Sequence, residues 1–171
     1  MIPSLALLLA AASSGDAPAH LARSTFPTLV RPLVVRADTS SRATSLYREA
    51  ERLASVGRFD AARTEYRAVI AVLDSSATFP GDALWALATM EFACNHEMRA
   101  AAILDQLVDA AVRYGRPEWQ ARALLEAGII YQNHGRYDLS VERVRTLKPL
   151  LSSPSISPSV RAQIAERVAM K

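Results

Sequence analysis

Three histidines and a single cysteine are the residues of this chain whose types suit metal binding: His20, His96, His134 and Cys94. His96 and His134 fall at equivalent turns of a repeating pattern, so stacking of successive units would bring them towards one another. Packed helical units stand about 10 Å apart, whereas a shared zinc needs each ligand at roughly 2 Å. Cys94-x-His96 lacks two further ligands, so the expectation is solvated turn histidines and no metal. With one cysteine there is no intrachain disulfide, and the thiol reads as a small apolar residue within a helical pattern. The glycines at 15, 57, 81, 115, 128 and 135 form neither GxGxxG nor GxxxxGK, and GxSxG and HExxH are absent. Glu49, Glu51, Glu65 and Asp105 sit among arginines at helical spacing and read as solvated faces with i,i+4 partners, each worth a few tenths of a kcal/mol. The expectation is therefore a chain that is not an enzyme and carries no cofactor.

What must position these residues is helical. Half of the 171 residues are apolar, enough to bury a core, and the alanine-rich text with only six glycines shows little alternation. The net charge of +3 comes from arginines scattered along the chain rather than gathered on one face, which argues against nucleic acid. Leu5 to Ala12 is an apolar run of eight, too short for a bilayer span of about 20 residues but suited to the core of a secretory signal. Residues 1–19 are thus a candidate signal peptide or disordered start, and the protein is expected to be periplasmic or secreted if that run exports it, cytoplasmic otherwise. The n-region has no Lys or Arg, and no cysteine follows the run to take a lipid anchor. Residues 20–41 read as a linker containing one apolar stretch, Leu29 to Val35, interrupted by Pro32.

From residue 42 to 171 the chain repeats. Gly57-Arg58-Phe59-Asp60 returns as Gly135-Arg136-Tyr137-Asp138, 78 positions on, twice a period of 39; the midpoint is His96-Glu97-Met98-Arg99. On that period Leu46, Trp85 and Leu124 share a column, as do Leu53, Phe92 and Tyr131; Ala62, Ala101 and Ser140; and Val69, Val108 and Leu147. Self-similarity of this length marks stacked supersecondary units, none able to bury its apolar face alone. Gly57, Gly115 and Gly135 end helices, Asp60 and Asp82 are placed to cap the helices that follow, and Pro117 opens one. Pro149 is expected to stop the sixth helix, and Val160, Ile164 and Val168 mark a closing amphipathic helix.

These columns resemble the tetratricopeptide repeat, W-x2-L-G-x2-Y then A-x3-F. The third unit has Leu124-x2-Ala127-Gly128-x2-Tyr131 then Ser140-x3-Val144. The first has Leu46-x2-Glu49-Ala50-x2-Leu53 then Ala62-x3-Tyr66, and the second has Trp85-x2-Ala88-Thr89-x2-Phe92 then Ala101-x3-Asp105. The resemblance covers about residues 43 to 154. A period of 39 rather than 34 departs from it towards HEAT and armadillo repeats, while the Gly-Arg-aromatic-Asp turn and the small residues at 62, 101 and 140 favour the tetratricopeptide type. It implies an all-α fold: a right-handed helical-hairpin solenoid of about three helix pairs plus a C-terminal capping helix. It also implies a concave groove lined by the first helix of each pair. The lining residues would be Tyr47 and Glu51 in unit one, Ala86 and Met90 in unit two, and Arg122, Leu125, Ile129 and Gln132 in unit three. Thr44, Ala54, Ser55, Ala83, Ala93, Cys94 and Asn133 would stand in the same columns. The Lys, Arg and Asn set that grips a C-terminal carboxylate is missing from them. The implied function is a non-catalytic protein–protein interaction module that takes a partner peptide or amphipathic helix in an apolar groove, with Met90 adapting to more than one partner. The competing occupants are the chain's own terminal helix or the Leu29–Val35 stretch. The alternative roles are a truncated regulatory arm of a larger enzyme, since the text ends inside a helical pattern, or a structural repeat protein stacking into a homodimer. No integral membrane span is expected.

Overall fold

The computed structural model describes residues 37–169 and is all-helical. Seven helices follow one another among the described residues: α1 (Ala37–Ser55), α2 (Phe59–Ser75), α3 (Gly81–Ala93), α4 (Glu97–Arg113), α5 (Pro117–Asn133), α6 (Tyr137–Leu151) and α7 (Pro158–Ala169). The candidate signal sequence, His20, the Leu29–Val35 stretch and nearly all of the expected linker lie outside the described residues. None of the described helices is long and apolar enough to cross a membrane.

The first five helices end on one device. A residue in the left-handed region turns the chain, and the amide that follows it donates to the carbonyl five residues back. Arg58 N reaches Leu53 O at 2.9 Å, Thr78 N reaches Leu73 O at 2.9 Å, His96 N reaches Glu91 O at 2.9 Å, Arg116 N reaches Ala111 O at 2.8 Å and Arg136 N reaches Tyr131 O at 2.8 Å. This closure satisfies carbonyls that a helix end would otherwise leave open. Gly57, Gly115 and Gly135 hold the left-handed position at φ of 76°, 61° and 70°, while Asn95 holds it in the third turn at φ 60°. Asparagine is the side chain that best tolerates that conformation.

Asn95 resets the register of the middle unit. It lies 38 residues after Gly57 and 40 before Gly135, so the period of 39 is an average of two unequal steps. Counted from the turns, the equivalent residues are Leu46, Leu84 and Leu124; Ala50, Ala88 and Gly128; Ala62, Ala100 and Ser140; and Val69, Leu107 and Leu147. In these columns only Leu46 is not fully buried. Ala100, not Ala101, is thus the partner of Ala62, and Leu107 replaces Val108. Both alanines at 100 and 101 are nonetheless buried.

Expected details of the helix ends change as well. Asp60 and Asp82 do not cap: they lie within the first turns of α2 and α3, whose N-cap residues Arg58 and Pro80 make no side-chain cap bond. There the carboxylates face the positive end of the helix dipole. Pro117 opens α5 as expected, where its missing N–H costs nothing. Pro149 does not stop α6 but lies in its last turn, two residues before Leu151.

The main core joins α1 to α6 through residues such as Leu53, Tyr66, Leu84, Leu104 and Ile130. Leu147, Ile156, Val160 and Ile164 join Ala121 and Leu124 in a second cluster beneath α7. From α1 to α6 successive helices pack on one another, most sparsely at α2 and α3. An aromatic chain spans the α2–α3 and α4–α5 connections. Phe79 lies 5.8 Å from Tyr114 and 5.7 Å from Trp119, and Trp119 lies 6.0 Å from Trp85.

Two glycines predict opposite outcomes for one chemical change. A Cβ on Gly81 would clash with the Phe79 ring, which the aromatic chain holds in place. A Cβ on Gly128 would meet Arg143 Cβ at an ordinary 3.5 Å. Gly81→Ala should cost about 1–3 kcal/mol through overpacking, whereas Gly128→Ala should stabilise α5 by about 0.5–1 kcal/mol. Thermal unfolding that moves both variants in the same direction would contradict this packing.

Candidate functional site

The turn register decides which residues of α1, α3 and α5 face the same way. A helix turns about 100° per residue, so a shift of one position in α3 exchanges a lining face for a packing face. Counted from the turns, Ala86 and Met90 are equivalent to Arg48 and Arg52 of α1 and to Glu126 and Ile130 of α5. Glu126 and Ile130 are buried, and Met90, 6% exposed, belongs to the main core. Met90 is therefore a core residue and not an adaptable groove floor, and Ala86 is half-buried beside it.

The positions equivalent to the expected lining residues are different. Thr44, Asp82 and Arg122 form one column; Tyr47, Trp85 and Leu125 the next; Glu51, Thr89 and Ile129 a third; and Ala54, Phe92 and Gln132 the last. All are half-buried except Trp85, which is buried. The expected residues Tyr47, Glu51, Arg122, Leu125, Ile129 and Gln132 thus share matching positions, and Asp82, Trp85, Thr89 and Phe92 take the places given to Ala86 and Met90. The signal available in the sequence was Asn95, a residue that substitutes for glycine at a helix end.

Tyr47 packs edge-on to Tyr66, with ring centroids 5.7 Å apart. Burial first, then the charges of Glu51 and Asp82, push its phenol above the ordinary value. At the α5 end, Leu125 packs against the cluster beneath α7, and Arg122 donates to Gln163 Oε1 at 3.1 Å. Two more polar ties hold α7 to α5. Ser157 N donates to Glu118 Oε1 at 2.9 Å, and Arg167 spans both carboxylate oxygens of buried Glu126 at 2.9 and 3.1 Å. The chain's own terminal helix therefore abuts the α5 end of this surface.

Two further acids are tied to other helices. Asp105 is not a solvated carboxylate with an i,i+4 partner. It accepts from Tyr131 OH at 2.6 Å and from Arg143 at 2.7 and 2.8 Å, joining α4, α5 and α6. Burial first, then the Asp105 carboxylate, pushes the Tyr131 phenol up to about 12. Glu91 is 1% exposed in the column that holds Leu53 and Tyr131 in the other units. Arg63 of α2 grips both of its oxygens and Asp60 as well, and His96 Nδ1 lies 2.8 Å from Oε2. Burial raises the Glu91 carboxyl, but the hydrogen bonds from Arg63 and His96 outweigh it and hold the group below its ordinary 4.5. His134 Nε2 lies 2.7 Å from Glu97 Oε2, so both turn histidines have carboxylate partners. Cys94 is half-buried, and burial with the nearby Glu91 charge raises its thiol, the opposite of an activated thiolate. Among the described residues no group of three or more His, Cys, Asp or Glu is placed to hold a metal ion.

No protein-family model matches the chain, and no curated protein or solved structure matches it.

The Glu91 cluster predicts a stability pattern. Glu91→Leu alone strands the Arg63 guanidinium and should cost about 3–5 kcal/mol, whereas Arg63→Leu/Glu91→Leu should recover most of that loss. Because the folded carboxyl titrates below its unfolded value of 4.5, its contribution is complete above that pH and disappears as pH falls through the lower folded value. Urea unfolding between pH 7 and 3 should show an acid-side loss that is reduced in the double variant. An unchanged slope would assign the loss to other groups.

Proposed function

We propose that this chain is a non-catalytic protein–protein interaction module of tetratricopeptide-like helix pairs, a right-handed helical-hairpin solenoid closed by α7. Its inner face, carried by α1, α3 and α5, takes an amphipathic helix or short apolar segment of another protein. The observation that carries the reading is the recurrence of matching half-buried columns on these three helices, once they are aligned by their turns. Polar ties between units support it. They join residues 37 to 41 positions apart, one repeat, as unit-on-unit stacking requires. Counted from the turns, the middle unit gains apolar and small residues of the tetratricopeptide pattern, while Glu91 takes its closing aromatic position. Leu84-x2-Leu87-Ala88 replaces Trp85-x2-Ala88-Thr89, and Ala100-x3-Leu104 replaces Ala101-x3-Asp105.

The outer side of α1 speaks against end-to-end stacking through that helix. Ser45, Arg48 and Arg52 are exposed there, in the columns where α3 carries Ala83, Ala86 and Met90 and α5 carries Ala123, Glu126 and Ile130. That side offers polar groups to water rather than an apolar seam to a second copy.

The test is co-purification from the source cells, with wild type beside Thr89→Glu/Ile129→Glu and a control, Arg48→Glu, on the outer side of α1. The two lining positions are half-buried, so both variants are expected to keep the wild-type helical circular dichroism. A partner held by wild type and by Arg48→Glu but lost from the lining variant is the expected result. A partner set unchanged in the lining variant would rule the inner face out.

A further inference from the structure

Within the inner face one side chain runs against both its column and its helix. Glu51 stands where the other units carry Thr89 and Ile129, neutral residues. It lies one turn from the carboxyl end of α1, where the helix dipole disfavours a negative charge. It is half-buried, and among the described residues no hydrogen bond or ion pair holds its carboxylate. The acids around it each have a structural reason: Glu49 pairs with Arg52, and Asp82 faces the amino end of α3. Local rules broken without a compensating contact mark positions kept for something outside the fold. Beside Glu51 lies Tyr47, whose hydroxyl also feels the charge of Asp82. An aromatic ring flanked by carboxylates complements a cation carried on an apolar segment.

We propose that the partner of this inner face is an amphipathic helix whose apolar stripe lies along the half-buried Tyr47, Phe92 and Ile129 and which presents a Lys or Arg to Glu51. The proposal rests on the inner-face reading above and names the partner's chemistry. A helix suits the spacing. Packed helices stand about 8–10 Å apart, and residues seven apart on a helix rise about 10 Å, so one side chain per heptad meets one unit. The protein's overall charge of +3 would by itself attract acidic ligands. A preference for the basic helix therefore reports Glu51 locally rather than the long-range field.

The experiment uses the full chain and two synthetic peptides of about 18 residues. They share a leucine stripe and differ only in the residues flanking it, Lys in one and Glu in the other. Fluorescence anisotropy in 0.15 M salt should give the Lys peptide about fivefold tighter binding. That preference should vanish in Glu51→Gln and reverse in Glu51→Lys, while Arg52→Gln on the outer side leaves it intact. Circular dichroism confirms that each variant is folded. Equal binding of the two peptides, or a Lys preference that survives in Glu51→Gln, overturns the assignment to Glu51 and leaves the inner-face reading standing. Binding of neither peptide, with the face covered by a second copy or by residues 29–35, overturns both.

Discussion

Everything about which residue faces where depends on a backbone constraint: the left-handed residue at a helix end and the hydrogen bond that the next amide sends five residues back. Glycine and, less readily, asparagine adopt that conformation with little strain, and Ala77 at φ 49° holds it at the end of α2. Once Gly57, Asn95 and Gly135 occupy it, the azimuth of each preceding helix is set, and every side chain on α1, α3 and α5 is assigned to a seam, a crossing or the open face. Small residues at the crossings follow from the same constraint. A methyl at Gly128 would meet Arg143 and the Ser140 carbonyl at ordinary contact, but a side chain larger than alanine would force α5 and α6 apart.

Charge is used inside this array in a consistent manner. Glu91, Asp105 and Glu126 each reach across a boundary between helices to an arginine, and in each case both carboxylate oxygens are engaged. Ionic pairs of this kind add little net stability once desolvation is counted, but one member without the other is expensive. Their effect is to penalise any arrangement of the helices that separates the partners. The Arg63–Glu91 pair is placed where this matters most, across the sparse packing of α2 against α3. His96 joins it from the turn itself, so the residue after the left-handed position both closes the helix and partners its buried acid.

The first and last described helices differ in what they expose. α1 turns exposed serine and arginines outward in the columns that elsewhere pack against a preceding unit. At the other end α7 lays Val160 and Ile164 on α5 and α6 and exposes Ser159, Ala162, Gln163, Ala165 and Glu166. Of the columns shared by α1, α3 and α5, the one of Tyr47, Trp85 and Leu125 is apolar or aromatic in every unit.

Helix content, helix number and the helix ends at Gly57, Gly115 and Gly135 were legible in the amino-acid text, because they follow from local terms: apolar spacing, turn residues and the missing N–H of Pro117. The repeat itself was legible for the same reason, since Gly-Arg-aromatic-Asp occurs twice in full. Tertiary structure decided the register of the middle unit, where Asn95 stands in for a glycine one residue ahead of the strict period. That shift of one position, about 100° of helix rotation, puts Met90 in the core and Thr89 and Phe92 in the half-buried columns of Glu51 and Ala54. It also decided the role of the acids. Glu91, Asp105 and Glu126 look in sequence like the exposed carboxylates around them, because their arginine partners lie 28 to 41 residues away. Local spacing carries the rules for forming a helix, whereas the pairing of charges across helices exists only once the chain has brought distant residues together.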